Sequence, residues 1–516
     1  MSLSSLGYFA LLPITAVVFY LVPHKLQNWV LAISSLIFLS FSLPSGTQWF
    51  VPLAALLFVT AITFFLAKAM PSSHSKKSLL WLGVGSCLVL LAVFKYYNAT
   101  LPVLFGPDIF VQGALKLVFP LGISFYSFAA ISYLVDVYRG DLQPETSFLR
   151  YFVFTGFFAT ISSGPICRGG QLLPQLRQPH TFDAQRTGQA LRLFALGLFK
   201  KVAISDLLAL YVNQVFEQYS QRGAISLIVG AIGYSFVLYF DFCGYSEMAR
   251  ASGLLLGIQL PENFKTPFFS TNFSVFWSRW HISLSSWLQD YVFMPLVWGR
   301  WTSHLPIIGK RVQNPPMISS VAMVFFLSGF WHGSTLPFVI WGTLQAVYRV
   351  GEELLHRFVG KPKKKPPLSM VWAKRSVVFV LWSLSLVFFK MGSSVTAQGN
   401  PYSVTDCFKY LSGMLQGFSP VRFGQEFMAD IQTGFYAKPI MVLGWIGFVV
   451  AGLALAFWLD WLRNTKYKNK AAELVLSAQK PAIRWMIDYA LVVFILVGLI
   501  IQNGGMSAQG FAYANF

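Results

Sequence analysis

The chain has 516 residues, of which 55% are hydrophobic and only 11% charged, and its 39 Lys plus Arg against 19 Asp plus Glu give a net charge of +20. Soluble domains carry about 25% charged residues, and the mean hydropathy here is +0.58, so an ordinary soluble domain is excluded. A nucleic-acid binder is excluded too, because the basic residues sit at the ends of apolar segments, where the positive-inside rule places them.

Apolar segments of spanning length begin at once, at 7–22, 27–43, 49–69 and 79–94. The first is followed by Pro23-His24-Lys25 and then directly by the next apolar segment. With no small-residue cleavage site after it, it reads as a span and not as a signal peptide. Between 115 and 212 lie further apolar segments broken by Gly, Pro and single charges, and later spans are predicted at 225–240, 377–389, 440–459 and 485–501. At about 20 residues per crossing, the expectation is an all-α polytopic membrane protein with roughly ten to twelve crossings and some re-entrant or interfacial pieces. We expect one membrane domain over 1–516, with N-terminal spans at 1–110, a core at 111–360 and C-terminal spans at 361–516. Four cysteines, Cys87, Cys167, Cys243 and Cys407, stand far apart with no CxxC pair. That spacing argues against a disulfide framework or a zinc site.

Orientation follows from the basic loops. Lys76-Lys77, the run Lys361-Pro362-Lys363-Lys364-Lys365, and the stretch from Arg463 to Lys470 are predicted to face the cytoplasm. Both ends of the chain, including the uncharged tail 503–516, then lie outside the cytoplasmic (inner) membrane. The run 361–367 is a basic, proline-containing linker whose simplest role is to set topology. The external loop 391–438 mixes Asp406, Lys409, Arg422, Glu426 and Asp430 with aromatics, the composition of a folded surface for an acceptor or partner. Part of the positive charge suits anionic membrane lipid or an anionic cytosolic donor.

Two segments carry chemistry. In 276–291, Trp277, Trp280, Leu284 and Trp287 fall three or four apart and share one face if the segment is a helix, with His281 beside that face. The segment is too polar for a lipid-exposed span and is predicted to be an interfacial or re-entrant helix with its tryptophans at headgroup level. On spacing alone, an aromatic anchor with a solvated His281 is an equal reading. The second segment, 312–348, contains no Lys, Arg, Asp or Glu, and His332 is its one imidazole. A single helix of that length would run about 55 Å, well beyond the roughly 30 Å hydrocarbon core. It must break, and Gly333 with Pro337 mark the place. An ionisable group at that depth is a functional-site hypothesis by default, and imidazole is the side chain suited to moving protons near neutral pH. The alternative is a core histidine bonded to a carbonyl. No metal is expected, because there is no His-x-x-His spacing and no carboxylate in the stretch.

The pairing of Arg279-Trp280-His281-Ile282-Ser283-Leu284-Ser285 with Trp331-His332-Gly333 and Trp341-Gly342 resembles the membrane-bound O-acyltransferases. More narrowly, it is similar to the bacterial polysaccharide O-acetyltransferase branch, which acetylates alginate and peptidoglycan. The teichoic acid D-alanyl transfer proteins are close cousins. Supporting stretches are Pro120-Leu121-Gly122-Ile123-Ser124-Phe125-Tyr126, Asp136-Val137-Tyr138-Arg139-Gly140, Gly164-Pro165-Ile166, Lys200-Lys201, Tyr239-Phe240-Asp241-Phe242, Gly244-Tyr245-Ser246, Glu262-Asn263-Phe264-Lys265 and the aromatic tail Phe511-Ala512-Tyr513-Ala514-Asn515-Phe516. The resemblance runs from about residue 9 to the end of the chain.

The resemblance implies a fold of tilted helices ringed around a thin central region, with funnels from both sides forming a tunnel that meets the histidine. It implies His332 as the catalytic histidine and His281 as the second one near the tunnel. It implies acetyl-CoA as donor substrate with no bound cofactor. The acceptor is then a polysaccharide hydroxyl, reached directly or through a secreted SGNH-type, esterase-like partner. Candidate substrate contacts are Trp331, Asp290, Arg279, Asn263 and Lys265. For Asp290 and Arg279 an ion pair, and for Asn263 and Lys265 a capping or loop role, are the competing readings. The chain departs from the branch at Gln289 (for arginine), Cys243 (serine), Glu247 (aspartate) and Lys390 (arginine). A transporter is the rival class, since broken helices at depth mark transporters too. The sequence lacks paired half-repeats and a set of intramembrane carboxylates. A non-catalytic export scaffold is the third class.

Overall fold

A computed structural model describes residues 2–41, 48–105, 116–298, 315–359, 366–396, 399–435 and 439–503. The basic run 361–365 and the aromatic tail 511–516 lie outside the described residues. Apart from an isolated bridge between Val395 and Pro401, the regular elements among the described residues are helices. This is how a chain in lipid satisfies its backbone within each segment.

In chain order the α-helices are α1 (Leu6–Leu21), α2 (His24–Ser40), α3 (Val51–Ala69), α4 (Lys76–Phe105), α5 (Ile123–Arg139), α6 (Phe148–Gly156), α7 (Gly169–Leu176), α8 (Ala184–Phe199), α9 (Asp206–Glu217) and α10 (Ala224–Leu255). They continue as α11 (Phe273–Trp277), α12 (Ile282–Leu288), α13 (Met294–Trp298), α14 (Pro315–His332), α15 (Leu336–Val359) and α16 (Leu368–Gly392). The last are α17 (Val404–Gly413), α18 (Pro420–Phe435), α19 (Pro439–Thr465), α20 (Ala472–Ser477) and α21 (Pro481–Asn503). Six helices among the described residues are long and apolar enough to cross a membrane: 51–69, 76–98, 224–255, 368–392, 443–465 and 481–502. Shorter apolar helices run over Leu6–Leu21 and Ile318–His332. The protein is an all-α polytopic membrane protein. The apolar segments counted toward crossings between 115 and 212 fold as shorter helices, from 8 residues in α7 to 17 in α5.

The chain divides into two compact units. The first comprises Met1–Phe194 and Tyr245–Glu262. Its helices are tied by buried hydroxyls, with Thr60 to Thr155 at 2.8 Å, Thr63 to Tyr151 at 2.7 Å and Tyr8 to Ser252 at 2.7 Å. Such pairs hold helices together where apolar contact alone cannot favour protein over lipid. The start of α5 depends on Gly122, whose φ is +72° and whose missing Cβ would sit 1.7 Å from the Ile161 carbonyl oxygen. Before α6, the buried Glu145 receives Arg150 and Arg177, each at 2.8 Å.

The second unit comprises Ala195–Gly244 and Asn263–Phe516. Here α14 and α15 form a hairpin in which Gly329 and Gly342 face each other, a Cβ on Gly342 falling 2.8 Å from the Gly329 Cα. The loop expected outside the membrane is folded over its described residues. Its helices α17 and α18 bond the turn between α9 and α10, through Asp406 to Tyr219 at 2.8 Å and Asp430 to Arg222 at 2.6 Å.

Candidate active site

His332 is the last residue of α14, and the chain resumes as helix at Leu336. The break falls where Gly333 and Pro337 place it. Gly333 is needed because a Cβ there would meet the Phe338 ring at 2.3 Å, and the Thr335 hydroxyl bonds the Gly392 carbonyl at 3.0 Å. The imidazole is 3% exposed. It is walled by rings, with Trp331 at 4.7 Å, Trp341 at 5.0 Å and Phe389 at 5.0 Å between centroids.

The predicted helix over 276–291 is not continuous. It is split into α11 and α12 by a turn in which His281 has φ +43°. A left-handed backbone is costly for a side chain with a Cβ and persists only when neighbours over-determine it. Asn263 does so here. Its carbonyl accepts the Ile282 amide at 2.9 Å. Its Oδ1 accepts the Ser283 amide at 3.2 Å and the Ser283 hydroxyl at 2.6 Å, capping α12 from a distant residue. The tryptophans do not form a headgroup belt. Trp280 is 3% exposed and packs on Phe264, Phe276 and Trp382 at 5.1, 5.6 and 4.8 Å. Nor is His281 solvated. It is 1% exposed with Phe242 edge-on at 4.6 Å. It lies outside the six spans, and burial pushes its pKa down to about 3, leaving a neutral ring at any physiological pH.

Both histidines line one cavity of about 490 Å³ in the second unit. Its wall combines Trp277, Trp280, Trp341, Trp382 and Phe389 with small polar groups, among them Ser274, Ser285, Ser286, Ser328 and Gln289, and with Arg349. It has room for a small acyl group beside an imidazole. The other five candidates are not among the lining residues. Trp331 lies edge-on to the His332 ring. Asp290 is exposed in the π-turn after α12. Arg279 donates to the Asn464 Oδ1 at 3.2 Å, and its carbonyl accepts the Lys265 amide at 3.0 Å. Asn263 is the cap just described. Residues that sequence reasoning missed are Trp382, Phe389, Ser328 and Arg349. Trp382 and Phe389 sit in a predicted span with no local mark of a cavity. Gln289, noted only as a departure from the branch, faces the cavity.

A second polar cluster lies off the cavity. Lys201 reaches Asp206 at 2.6 Å and Asp241 at 2.7 Å, with these side chains 3%, 8% and 2% exposed. Gln502 of α21 donates to the other Asp206 oxygen at 3.1 Å. Lys201 and Asp241 thus belong to a buried ion group in which one ammonium faces two carboxylates. Among the described residues, no cluster of metal-ligating side chains occurs.

The membrane-bound O-acyltransferase family model matches residues 140–391, a range that holds both histidines and all the cavity-lining residues. The chain is 28% identical over 530 residues to a probable alginate O-acetylase of Pseudomonas putida, covering 99% of both chains. It is 32% identical over 401 residues to a probable alginate O-acetylase of Azotobacter vinelandii, covering 75% of this chain and 74% of that one. With the peptidoglycan O-acetyltransferase of Helicobacter pylori it shares 30% over 426 residues, covering 74% of this chain and 75% of the relative. The chain therefore belongs to the membrane-bound O-acyltransferase family and is a multi-pass membrane O-acyltransferase.

Proposed function

We propose that the protein moves an acetyl group from acetyl-CoA on the cytosolic side of the inner membrane to hydroxyls of an extracellular or cell-wall polysaccharide, with His332 as the base. The hand-over to the polymer passes through a secreted SGNH-type partner. The observation that carries the reading is the position of His332, buried at a helix break on the wall of an aromatic-lined cavity that His281 also lines. The names of the relatives, alginate O-acetylase and peptidoglycan O-acetyltransferase, support a polysaccharide as acceptor.

In this reading the His332 ring takes the proton of the attacking hydroxyl. The hydroxyl oxygen forms a bond to the thioester carbon, the carbon–sulfur bond breaks, and the departing thiolate takes the proton back from the imidazolium. The aromatic wall limits water, which would otherwise hydrolyse the thioester. His281, in the turn held by Asn263, forms another part of the cavity wall.

The test is the ester-linked acyl content of envelope polysaccharide in cells that lack the protein and are complemented with wild type or His332→Ala at equal membrane abundance. Wild type should restore the ester, and the alanine variant should lose at least about 100-fold of the rate, the scale of general-base catalysis. Full restoration by the alanine variant overturns the reading in favour of a scaffold. The acid released by mild base identifies the group as acetate or as D-alanine.

A further inference from the structure

Of the described residues that line the cavity, one carries a permanent charge: Arg349 of α15. The helices fix where it stands. Val321, Val324, Phe325, Ser328 and His332 of α14 all line the cavity, and their spacing of three or four places them in one stripe along the helix. Val321 and His332 are 11 residues apart, about 16 Å along the axis. Arg349 shares a small recess with Val321 and Ile318, so it stands at the end of the cavity away from His332. On α15, Trp341 lies 5.0 Å from the His332 ring between centroids, and Arg349 follows 8 residues later, about 12 Å along the axis. This is also an open end of the cavity. Ser274 lines the cavity and is exposed, and its amide donates at 3.2 Å to the Oε2 of Glu352, which is three residues past Arg349. From there α15 leads toward the basic run 361–365, predicted to face the cytoplasm. The Arg349 side chain is 19% exposed, and its ion pair with Glu353 is 3.9 Å long, beyond hydrogen-bond distance. Glu353 is held more closely by Arg357, at 3.2 Å. The guanidinium thus presents its fork of donors with no close anion on it.

We propose that the cavity is a slot for a phosphopantetheine arm, with the thioester at His332 and the phosphate at the far end of the arm on the Arg349 guanidinium. The proposal rests on the acyl-transfer reading above. About 13 bonds separate the thioester sulfur from the phosphorus, and an extended chain advances about 1.1 Å per bond, so the arm reaches about 15 Å. The two helix distances from the histidine end to Arg349, about 12 and about 16 Å, bracket that reach. The wall between them suits the arm: aromatic rings for its methylene and methyl groups, and Ser285, Ser286 and Ser328 for its two amides. A planar guanidinium gives a phosphate two parallel N–H bonds. Coenzyme A and the prosthetic group of a carrier protein present the same arm and the same first phosphate, so the slot measures the arm and is indifferent to what lies beyond it.

The test compares donors with and without the phosphate. Membranes carrying wild type, R349Q or R349K at equal abundance are given acetyl-CoA, S-acetyl-phosphopantetheine or S-acetyl-pantetheine, and ester-linked acetate on the polysaccharide is followed for kcat and KM separately. For R349Q we expect KM to rise about 10- to 100-fold for the two phosphorylated donors, the scale of a lost charged hydrogen bond, with kcat kept, the mark of lost uniform binding. KM for S-acetyl-pantetheine should not move. R349K should recover part of the loss, because lysine keeps the charge without the fork, and it decides if R349Q fails to accumulate. An unchanged KM for acetyl-CoA overturns the proposal, and so does an equal rise for the phosphate-free donor, which would make Arg349 a structural residue. An acetylated carrier protein is supplied in parallel, and whichever of it and acetyl-CoA wild type turns over is the source of the arm. If wild type restores ester in cells yet turns over neither, the slot is overturned alone. A wild type that restores no ester defeats the acyl-transfer reading and this proposal with it.

Discussion

Asn263 fixes the turn at His281 from a distant point in the sequence. By capping α12 it holds the left-handed turn at His281. Asn263→Ala should cost about 1–2 kcal/mol, the usual range for a lost cap. It should lower acyl transfer more than it lowers the melting temperature, and the two measured together on purified protein check this. Glu145 acts in the first unit. Burial alone would raise its pKa, but the Arg150 guanidinium, the Ser147 amide and the Arg177 guanidinium outweigh burial and hold it below the ordinary carboxylate range. A depressed folded-state pKa gives stability that is present above the unfolded value and is lost as pH falls through the folded one. Glu145→Gln should therefore lower stability at pH 7 by about 1–2 kcal/mol, discounted because both arginines are partly exposed, and should flatten the loss of stability below pH 5. Melting curves of the two proteins from pH 7 to pH 3 test both signs. At this scale, the burial of His332 at a helix break was legible, because a histidine in a charge-free run beside Gly333 stands out in the sequence. Trp382 was not, because nothing within the sequence of a span says which of its rings will turn toward a cavity.

Among the elements, the hairpin of α14 and α15 was readable and the segment 276–291 was not. A charge-free run too long for one crossing must break, and glycine beside proline marks where. In 276–291 the apolar spacing matched a helix, yet a tertiary contact from Asn263 overrode it, and periodicity carries no information on contacts with distant residues. The hairpin itself hangs on glycines. With a Cβ on Gly342 only 2.5 Å from the Phe325 carbonyl oxygen, Gly342→Ala must push the two helices apart and shift Trp341 relative to His332. We expect at least about a 100-fold loss of activity, since displacement by roughly 1 Å has that effect on a positioned reaction. The variant should still be recovered in membranes, which immunoblotting alongside the ester assay would establish.

For the whole molecule, composition gave the class and the basic loops give the proposed orientation. A cysteine introduced at Lys76 or Lys466 should be labelled by an impermeant maleimide only after the cytoplasmic side is opened, and one at Lys409 or Ser419 should be labelled from outside. Reversed labelling would invert the topology and place the donor on the wrong side. The division into two compact units was not legible, because each unit takes residues from two separate stretches of chain, and membership is decided by packing. The ion group around Lys201 has one more consequence, for the order in which the protein is made. Asp206 meets its last donor in Gln502, 296 residues later, so the group stays open on one side while the ribosome synthesises every helix between them. A nascent chain that stops before α21 therefore lacks the Gln502 donor to this group.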